Sequence, residues 1–325
     1  MVYPDGGFRT VRIKSEVAQR GGHNKMKHYS KNTIREKRAG YAFSLPAVIF
    51  LLVIVVYPLM YNISMSFKDV TLETFNTEQA FIGFQNYKEV LAMPMVQRSI
   101  FNTLFFTIVS LIFQFIIGFA LAVLFSKKFA LNKISRGLLM VCWLIPVIVF
   151  ASVWKWIFAG DTSGILNYIL MKIHIIEKPI KWLTTESGAM AALIISNIWR
   201  GVPFNMLLLA TGITTLPDDV FEAASIDGAN RRQSFFRITV PLLRPTIVSV
   251  ITLGFINTFK VFDLIYIMTK GGPMDSTQIL ATASYKLTFS NFEFGQGAAV
   301  ANIMLLLMLI AGFFNLKLTD REEVR

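Results

Sequence analysis

A segment between Leu216 and Pro245 has the chemistry of a surface that binds another protein. Pro217 and two following aspartates predict the start of a short helix that runs to about Ile226, because acidic side chains favour the positive end of the helix dipole. Asp227-Gly228 predicts a sharp turn, since glycine adopts backbone conformations that other residues avoid. A second helix is predicted from Asn230 to Val240, ending at Pro241. The segment 217–241 is therefore predicted to form a helical hairpin.

Within this hairpin, small side chains and one acid could contact a partner. Glu222 offers a fixed negative charge to a basic partner, and three alanines keep the outer side thin. A plain amphipathic connector lying among lipid headgroups is the alternative, but such a helix should carry a cationic face, and the first half here is acidic. The predicted contact residues are Glu222, Ala223, Ala224, Asp227, Gly228 and Ala229.

Two further sets of polar and small residues lie inside apolar stretches at the spacing i, i+3, i+4, i+7, which is one helix face. The first set is Asn197, Arg200, Gly201 and Phe204, and the second is Gly254, Asn257, Thr258 and Val261. Because polar groups are costly against lipid, both faces are predicted to point into the protein. Bonding between helices and the lining of a transport path both remain open as explanations.

Two cations lie deep in these apolar stretches, where each costs about 2.5–3.5 kcal/mol on the insertion scale. Lys260 has Asp263 three residues on, which predicts that the two neutralise each other. Arg200 has no acid at i±3 or i±4, so water, a carboxylate of another helix or of a partner, or the cargo must compensate it. Its planar fork of donors suits a carboxylate or phosphate, and also the hydroxyls of a neutral sugar, so both classes of cargo remain open.

Catalytic and metal-binding patterns are not found in the sequence. Cys142 is the single cysteine, and His23, His28 and His174 lack the spacing of metal ligands. The phosphate-binding pattern G-x-x-x-x-G-K-[ST] does not occur, nor does a Ser-His-Asp or Cys-His arrangement. We therefore expect no cofactor or metal on this chain, no enzymatic activity, and any ATP hydrolysis on a separate chain.

The elements that must position these residues are membrane helices. The chain is 54% hydrophobic and only 16% charged, and a soluble reading fails because six long apolar helices in series would leave no polar surface. Each stretch approaches the roughly 20 residues that cross a hydrocarbon core. The sequence predicts an all-α polytopic membrane protein with six transmembrane helices, at residues 43–63, 104–125, 138–158, 189–211, 246–268 and 298–316.

The positive charges of the chain alternate with these stretches. Of the 32 Lys and Arg, the N-terminal segment, two alternate loops and the tail hold 10, 4, 4 and 3, whereas the intervening loops hold 3, 3 and 2. This split of 21 against 8 predicts that both termini are cytoplasmic. The net charge of +12 is then an orientation signal with some attraction to anionic lipid, and not a nucleic-acid surface. The predicted parts are a basic cytoplasmic arm (1–40), a transmembrane domain (41–318) and a cytoplasmic tail (319–325).

The hairpin also carries a resemblance. Glu222-Ala-Ala-x-x-Asp-Gly-Ala, followed by Phe235, Ile238 and Pro241, resembles the EAA motif of binding-protein-dependent ABC importer permeases. The maltose-type carbohydrate branch is indicated by three further stretches, which are 81–87 (FIGFQNY), 164–167 (GILN) and 262–273 (FDLIYIMTKGGP). The resemblance runs from about Tyr41 to the C-terminal region and leaves out the N-terminal arm.

This resemblance implies a type I (MetI-like) permease fold and a division of labour. A second, similar permease would complete the channel, two ATPase subunits would bind ATP and Mg²⁺, and an extracytoplasmic binding protein would deliver a carbohydrate to the bacterial inner membrane. The helix from Asp219 to Ile226 would be the coupling helix, with Glu222 as its ionic contact. The helices flanking the EAA loop would line the sugar path, including Lys260.

Two other classes of protein remain as alternatives. A gradient-driven secondary transporter would carry internal repeats and intramembrane carboxylates, of which only Asp263 qualifies and no repeat is found. A membrane-embedded enzyme such as a lipid-linked glycosyl transferase would need catalytic carboxylates at an interface.

Overall fold

The computed structural model describes residues 40–127, 129 and 131–323, so the predicted arm 1–40 lies outside the described residues except for Gly40. This part of the chain is helical, and its β-pairing is limited to the isolated bridges Lys68–Phe81 and Thr71–Glu293. The chain divides after Asn62 into two units, the first of which contains most of the first helix.

Thirteen helices in the described residues are used below. They are α1 (Gly40–Met65), α2 (Gln85–Ala92), α3 (Pro94–Phe125), α4 (Asn132–Leu144), α5 (Val147–Ile157), α6 (Ile165–Lys172), α7 (Glu186–Thr214), α8 (Asp218–Ile226), α9 (231–242), α10 (Arg244–Phe259), α11 (Asp263–Met268), α12 (280–290) and α13 (Phe294–Glu323). The last helix extends into the predicted tail 319–325.

Five apolar segments are long enough to cross a membrane, and a sixth is counted if the bent pair α4–α5 is one span. The five are α1, α3, α7, the segment Arg244–Met268 and Phe294–Phe314. The all-α membrane architecture predicted from the apolar stretches is therefore confirmed. The second span begins ten residues earlier than predicted, at Pro94, because polar residues there pack inside the protein.

The third span is not the single helix predicted over 138–158. The chain bends by 98° between α4 and α5, and both residues between them are extended, Ile145 at ψ 132° and Pro146 at ψ 134°. A proline disfavours the helical conformation of the residue before it and supplies no backbone donor, and here the chain leaves the helix at Ile145.

The fifth span also departs from the prediction of an unbroken helix over 246–268. Helix α10 ends at Phe259, and α11 begins at Asp263. Val261, which the helical spacing placed on a stripe with Gly254, therefore lies outside the helix. Non-helical backbone at membrane depth is tolerated where it lies inside protein or lines a water-filled cavity.

The most extensive helix pair in the described structure is α3 with α7. Helix α3 buries a polar stripe against its neighbours at intervals of three and four residues, from which Asn102 and Gln114 donate hydrogen bonds to other segments. The stripe consists of Ser99, Asn102, Thr103, Thr107, Ser110 and Gln114. Gly118 continues it, and a Cβ there would lie 2.8 Å from the Cβ of Asn205, so the two helices approach closely.

Candidate functional site: a polar cavity and a helical hairpin

A cavity of about 390 Å³ lies among α3, α4, α7 and α10. All the residues of the two predicted stripes line it, together with Lys260. These are Asn197, Arg200, Gly201, Phe204, Gly254, Asn257, Thr258, Val261 and Lys260. The helical periodicity therefore identified two faces that meet around one space.

The break in the fifth span forms part of the cavity wall. Lys260, Val261 and Phe262 line the cavity, and Asp263, the first residue of α11, lines it too. The interruption of the helix thus lies where backbone polar groups are not left against lipid.

Gln114 of α3 is the central polar side chain that the sequence analysis missed. It is buried, and its Nε2 donates a hydrogen bond of 2.9 Å to the backbone oxygen of Asn197. Asn205 donates from Nδ2 to the Gly201 oxygen at 3.1 Å and lies 3.5 Å from Gln114 Oε1. Applying the same spacing test to the second span, where Gln114 follows Ser110, would have found this residue.

The charges in the cavity wall are two cations and one carboxylate. Arg200 and Asp263 both line the cavity, so a carboxylate of another span shares the space with this guanidinium. The predicted neutralisation of Lys260 by Asp263 is wrong as a contact. The ion pairs among the described residues are Arg98–Glu186 and Lys286–Asp275. Lys260 and Asp263 do not pair because the helix breaks between them and their i, i+3 geometry is lost.

Three polar atoms around the cavity are buried without a hydrogen-bond partner from the protein. They are Asn197 Nδ2, Arg200 Nε and Asn205 Oδ1. Buried polar groups are nearly always paired with protein, water or ligand. A hydroxyl both donates and accepts, so a hydroxyl-rich ligand suits two donors and one acceptor once a side-chain movement uncovers these buried atoms.

An aromatic pair completes the wall. Trp143 of α4 stacks on Phe204 of α7, with ring centroids 5.4 Å apart and ring planes 18° from parallel. The bend after α4 determines where this tryptophan lies, because α4 ends at Leu144 and the chain turns away. The cavity therefore combines a flat apolar surface with a few oriented polar groups, the usual make-up of a small-molecule site.

The predicted hairpin is present between α7 and α10. Helix α8 begins at Asp218, and the turn after it places Gly228 at φ +78°, a conformation that side-chain-bearing residues rarely adopt. Asn230 then caps α9 through a reciprocal pair of 2.9 Å hydrogen bonds with Gln233.

Two details of the hairpin differ from prediction. Helix α9 passes through Pro241 to Leu242, since a π-helical turn over Phe235–Thr239 shifts the hydrogen-bond register ahead of the proline. Ala224 does not contribute to the thin outer side, because it is only 8% exposed and packs inward.

The outer side of α8 instead presents acidic and apolar groups. Glu222, Ala223 and Asp227 are exposed, Gly228 is open, and Ala229 is half-buried. Ile226 is 86% exposed, which sequence analysis did not single out. Ile226 therefore lies exposed beside the exposed acid Asp227 at the end of α8.

Two other motifs of the resemblance have structural roles in loops between the membrane helices. Asn167 is fully buried, accepts from the backbone N–H of Ile180 and from Trp182 Nε1, and donates to the oxygens of Ala159 and Ile180. It thereby joins the two ends of the loop after α5, at Ala159 and Ile180. Gly164 approaches the Ala159 oxygen so closely that a Cβ would lie 2.4 Å from it.

The motif 81–87 holds the first loop to the body of the protein. Asn86 donates to the oxygens of Ser66 and Lys68 at 3.0 and 2.9 Å. Tyr87 lies 2.7 Å from the Ser66 hydroxyl, and Asn302 of α13 donates to both hydroxyls. These contacts position the loop.

Comparison with known families gives a match over residues 114–322 to the model described as binding-protein-dependent transport system inner membrane component. The trehalose/maltose transport system permease protein MalF of Thermococcus litoralis is 32% identical over 281 residues, which are 86% of this chain and 93% of that protein. The sulfoquinovosyl glycerol transport system permease protein SmoG of Agrobacterium fabrum is 32% identical over 81% of this chain and 84% of its own length.

Among solved structures, a subunit of a bacterial ABC transporter involved in the import of the acidic polysaccharide alginate superposes with a TM-score of 0.77 at 23% identity. The match covers 89% of this chain and 98% of that chain. It establishes the same helical fold.

Proposed function

The chain belongs to the family of binding-protein-dependent transport system inner membrane components, and from that membership we propose that it forms half of the membrane path of an ATP-driven carbohydrate importer. A second, similar permease supplies the other half. Two ATPase subunits bind ATP and Mg²⁺ beneath the hairpin, and an extracytoplasmic binding protein delivers the cargo. Both termini of this chain then lie in the cytoplasm of a cell with an inner membrane.

One observation carries this proposal: two predicted polar stripes meet at a single cavity whose wall includes a break in a membrane helix. Polar residues that only join helices are usually paired with each other, although Thr107 Oγ1 and Ser110 Oγ of the α3 stripe also have no partner. Here Asn197 Nδ2, Arg200 Nε and Asn205 Oδ1 are buried and have no protein partner. A path that binds and releases a hydroxyl-rich cargo accounts for such groups.

The hairpin is connected directly to the cavity walls. Helix α8 follows α7 after three residues, and α9 is separated from α10 by Leu243 alone. Both α7 and α10 line the cavity. A displacement of the hairpin by an ATPase therefore moves two walls of the cavity together, which is how we propose that ATP-driven closure turns the cavity outward. In this role Glu222 is the ionic contact and Gly228 permits the turn.

The charge of the cavity favours a cargo that carries a negative group. Arg200 and Lys260 face one carboxylate, Asp263, which leaves one cation in excess. Both neutral and acidic cargoes occur among the similar proteins. MalF of T. litoralis belongs to a trehalose/maltose transport system, and the alginate transporter imports an acidic polysaccharide. We therefore propose an acidic oligosaccharide as first choice and a neutral one as second.

The experiment that tests the function is isolation of the intact complex, followed by screening of its binding protein against neutral and acidic saccharides. The bound saccharide is then offered to vesicles containing the complex, with ATP inside. We expect uptake that requires ATP and the binding protein. Uptake that continues without ATP and depends on a proton or sodium gradient would instead favour a secondary transporter.

A further inference from the structure

Four aromatic rings, the first of them in the cavity wall, contact one another in sequence. Phe262 stacks on Tyr266 at 5.1 Å between ring centroids, Tyr266 contacts Tyr285 at 5.0 Å, and Tyr285 contacts Phe289 at 5.0 Å. These rings, Phe262, Tyr266, Tyr285 and Phe289, are called the aromatic ladder below. Two come from the start of α11 and two from α12, at spacings of four residues.

The ladder is distinct from the packed core. Helix α11 buries Leu264, Ile265 and Met268 in a hydrophobic cluster, while its two ladder rings are only half-buried. Helix α12 likewise buries Leu280, Ala283 and Leu287, and its ladder residue Phe289 is 61% exposed. Both helices thus turn a pair of aromatic residues away from the core, and the two pairs meet.

The ladder is continuous with the cavity. Phe262 is a wall residue of the cavity, so the first ring of the ladder faces the proposed cargo. Helix α10 leads from the hairpin to the cavity, and α11 follows beyond it. The ladder therefore begins at the end of the cavity that is opposite to the hairpin along the chain. If the hairpin faces the ATPase, as proposed, this end is the outer one.

The ring faces also have polar groups beside them. Tyr266 and Tyr285 each add a phenol hydroxyl to the ladder. An aromatic face carries partial negative charge and attracts the weakly positive C–H face of a sugar ring, while the phenol hydroxyls can donate to and accept from sugar hydroxyls. This combination suits carbohydrate better than it suits an acyl chain.

We infer that the aromatic ladder binds successive sugar rings of an oligosaccharide whose leading end occupies the cavity. The inference rests on the proposed function. A cavity of about 390 Å³ is at the small end of ligand pockets, so a longer chain must extend past it, and the ladder is the aromatic surface that continues from its wall. The ladder thus sets which chain lengths are imported.

The test compares oligosaccharide lengths in the complete transporter. Vesicles containing the full complex, with its binding protein outside and ATP inside, receive a series from disaccharide to pentasaccharide of the sugar that the binding protein binds. We expect Phe289→Ala to reduce initial uptake of the pentasaccharide by roughly threefold to tenfold, and of the disaccharide by less than about twofold. The variant Phe289→Trp, which keeps an aromatic ring at this position, should import the pentasaccharide nearly as fast as the wild type.

Phe101→Ala is the matched control. Phe101 stacks on Phe105 at 5.9 Å and is 66% exposed, but neither ring lines the cavity. Uptake by the Phe101→Ala transporter should be unchanged for oligosaccharides of every length. Equal loss at all lengths, or no loss, for Phe289→Ala overturns the ladder, as does loss of the second permease from the purified variant, which would make these rings a subunit contact. A wild-type complex that imports no saccharide overturns the proposed function, and the ladder with it.

Discussion

Gly201 lies directly against the side chain of Gln114, such that a Cβ on Gly201 would lie 2.3 Å from Gln114 Cδ. The absence of a side chain at this position lets Gln114 reach the Asn197 oxygen and span the space between α3 and α7. Gln114 of α3 therefore occupies space that a side chain at position 201 of α7 would fill. Both residues line the cavity.

Gly201→Ala should destabilise the protein by about 1–3 kcal/mol, because Gln114 must leave its buried position and lose its hydrogen bond. Thermal unfolding of the purified protein in detergent measures the effect. Gly137→Ala is the matched control, since a Cβ there meets nothing within 4 Å. Combining Gly201→Ala with Gln114→Ala should recover part of the loss, and strictly additive effects would contradict the contact.

Glu222→Ala should leave membrane insertion intact and reduce the ATPase activity that the loaded binding protein stimulates, because it removes the exposed acid in the middle of α8 and leaves Asp218 and Asp219 of the first turn in place. Stimulated ATPase activity of the purified complex is the measurement. Glu177→Ala, an exposed acid of another loop, is the control. Wild-type stimulation in Glu222→Ala would remove this residue from the coupling role.

Substitutions of Gly228 should follow the backbone rather than side-chain size, because φ is +78° and nothing lies within 4 Å of a Cβ. Asn tolerates this conformation and should couple better than Val, which is β-branched and strained there by about 1–2 kcal/mol. The measurement is again stimulated ATPase activity. Equal activity of Gly228→Asn and Gly228→Val would show that the turn geometry is not needed.

Arg200→Gln should selectively impair transport of acidic cargo. Loss of a charge-assisted hydrogen bond should lower uptake of a uronate oligosaccharide by about tenfold or more and change neutral oligosaccharide uptake little. Lys155→Gln, which removes a cation of α5 that does not line the cavity, is the control. Absence of uronate uptake by the wild-type complex would end the proposal of an acidic cargo.

Reporter fusions should place Arg325 in the cytoplasm and the turn from Gly160 to Gly164 outside. The physical reason is the split of 21 against 8 cations between alternate segments, since positive residues remain on the cytoplasmic side. The two fusions should therefore give opposite signals in a phosphatase or fluorescence assay. The same side for both would overturn the topology.

Composition and periodicity alone determined much of this protein. The apolar stretches specified the membrane helices because each is long enough to span a hydrocarbon core. The hairpin followed from Pro217 and Asp227-Gly228, residues with strong local backbone preferences, whereas the end of α9 predicted at Pro241 was wrong. The stripes that include Arg200 and Asn257 followed from spacing, since a helix places residues three and four apart on one face.

Tertiary structure decided what these faces meet. Helical spacing shows that Gly201 and Asn197 share a face, but it does not show that Gln114 of α3 fills the space beside them, because that contact joins residues 83 or more positions apart. The 98° bend before α5 and the break after Phe259 depend on packing as well as on local propensity. The convergence of Arg200, Lys260 and Asp263 on one cavity, and the continuation of its wall into the aromatic ladder, arise only when separate helices pack together.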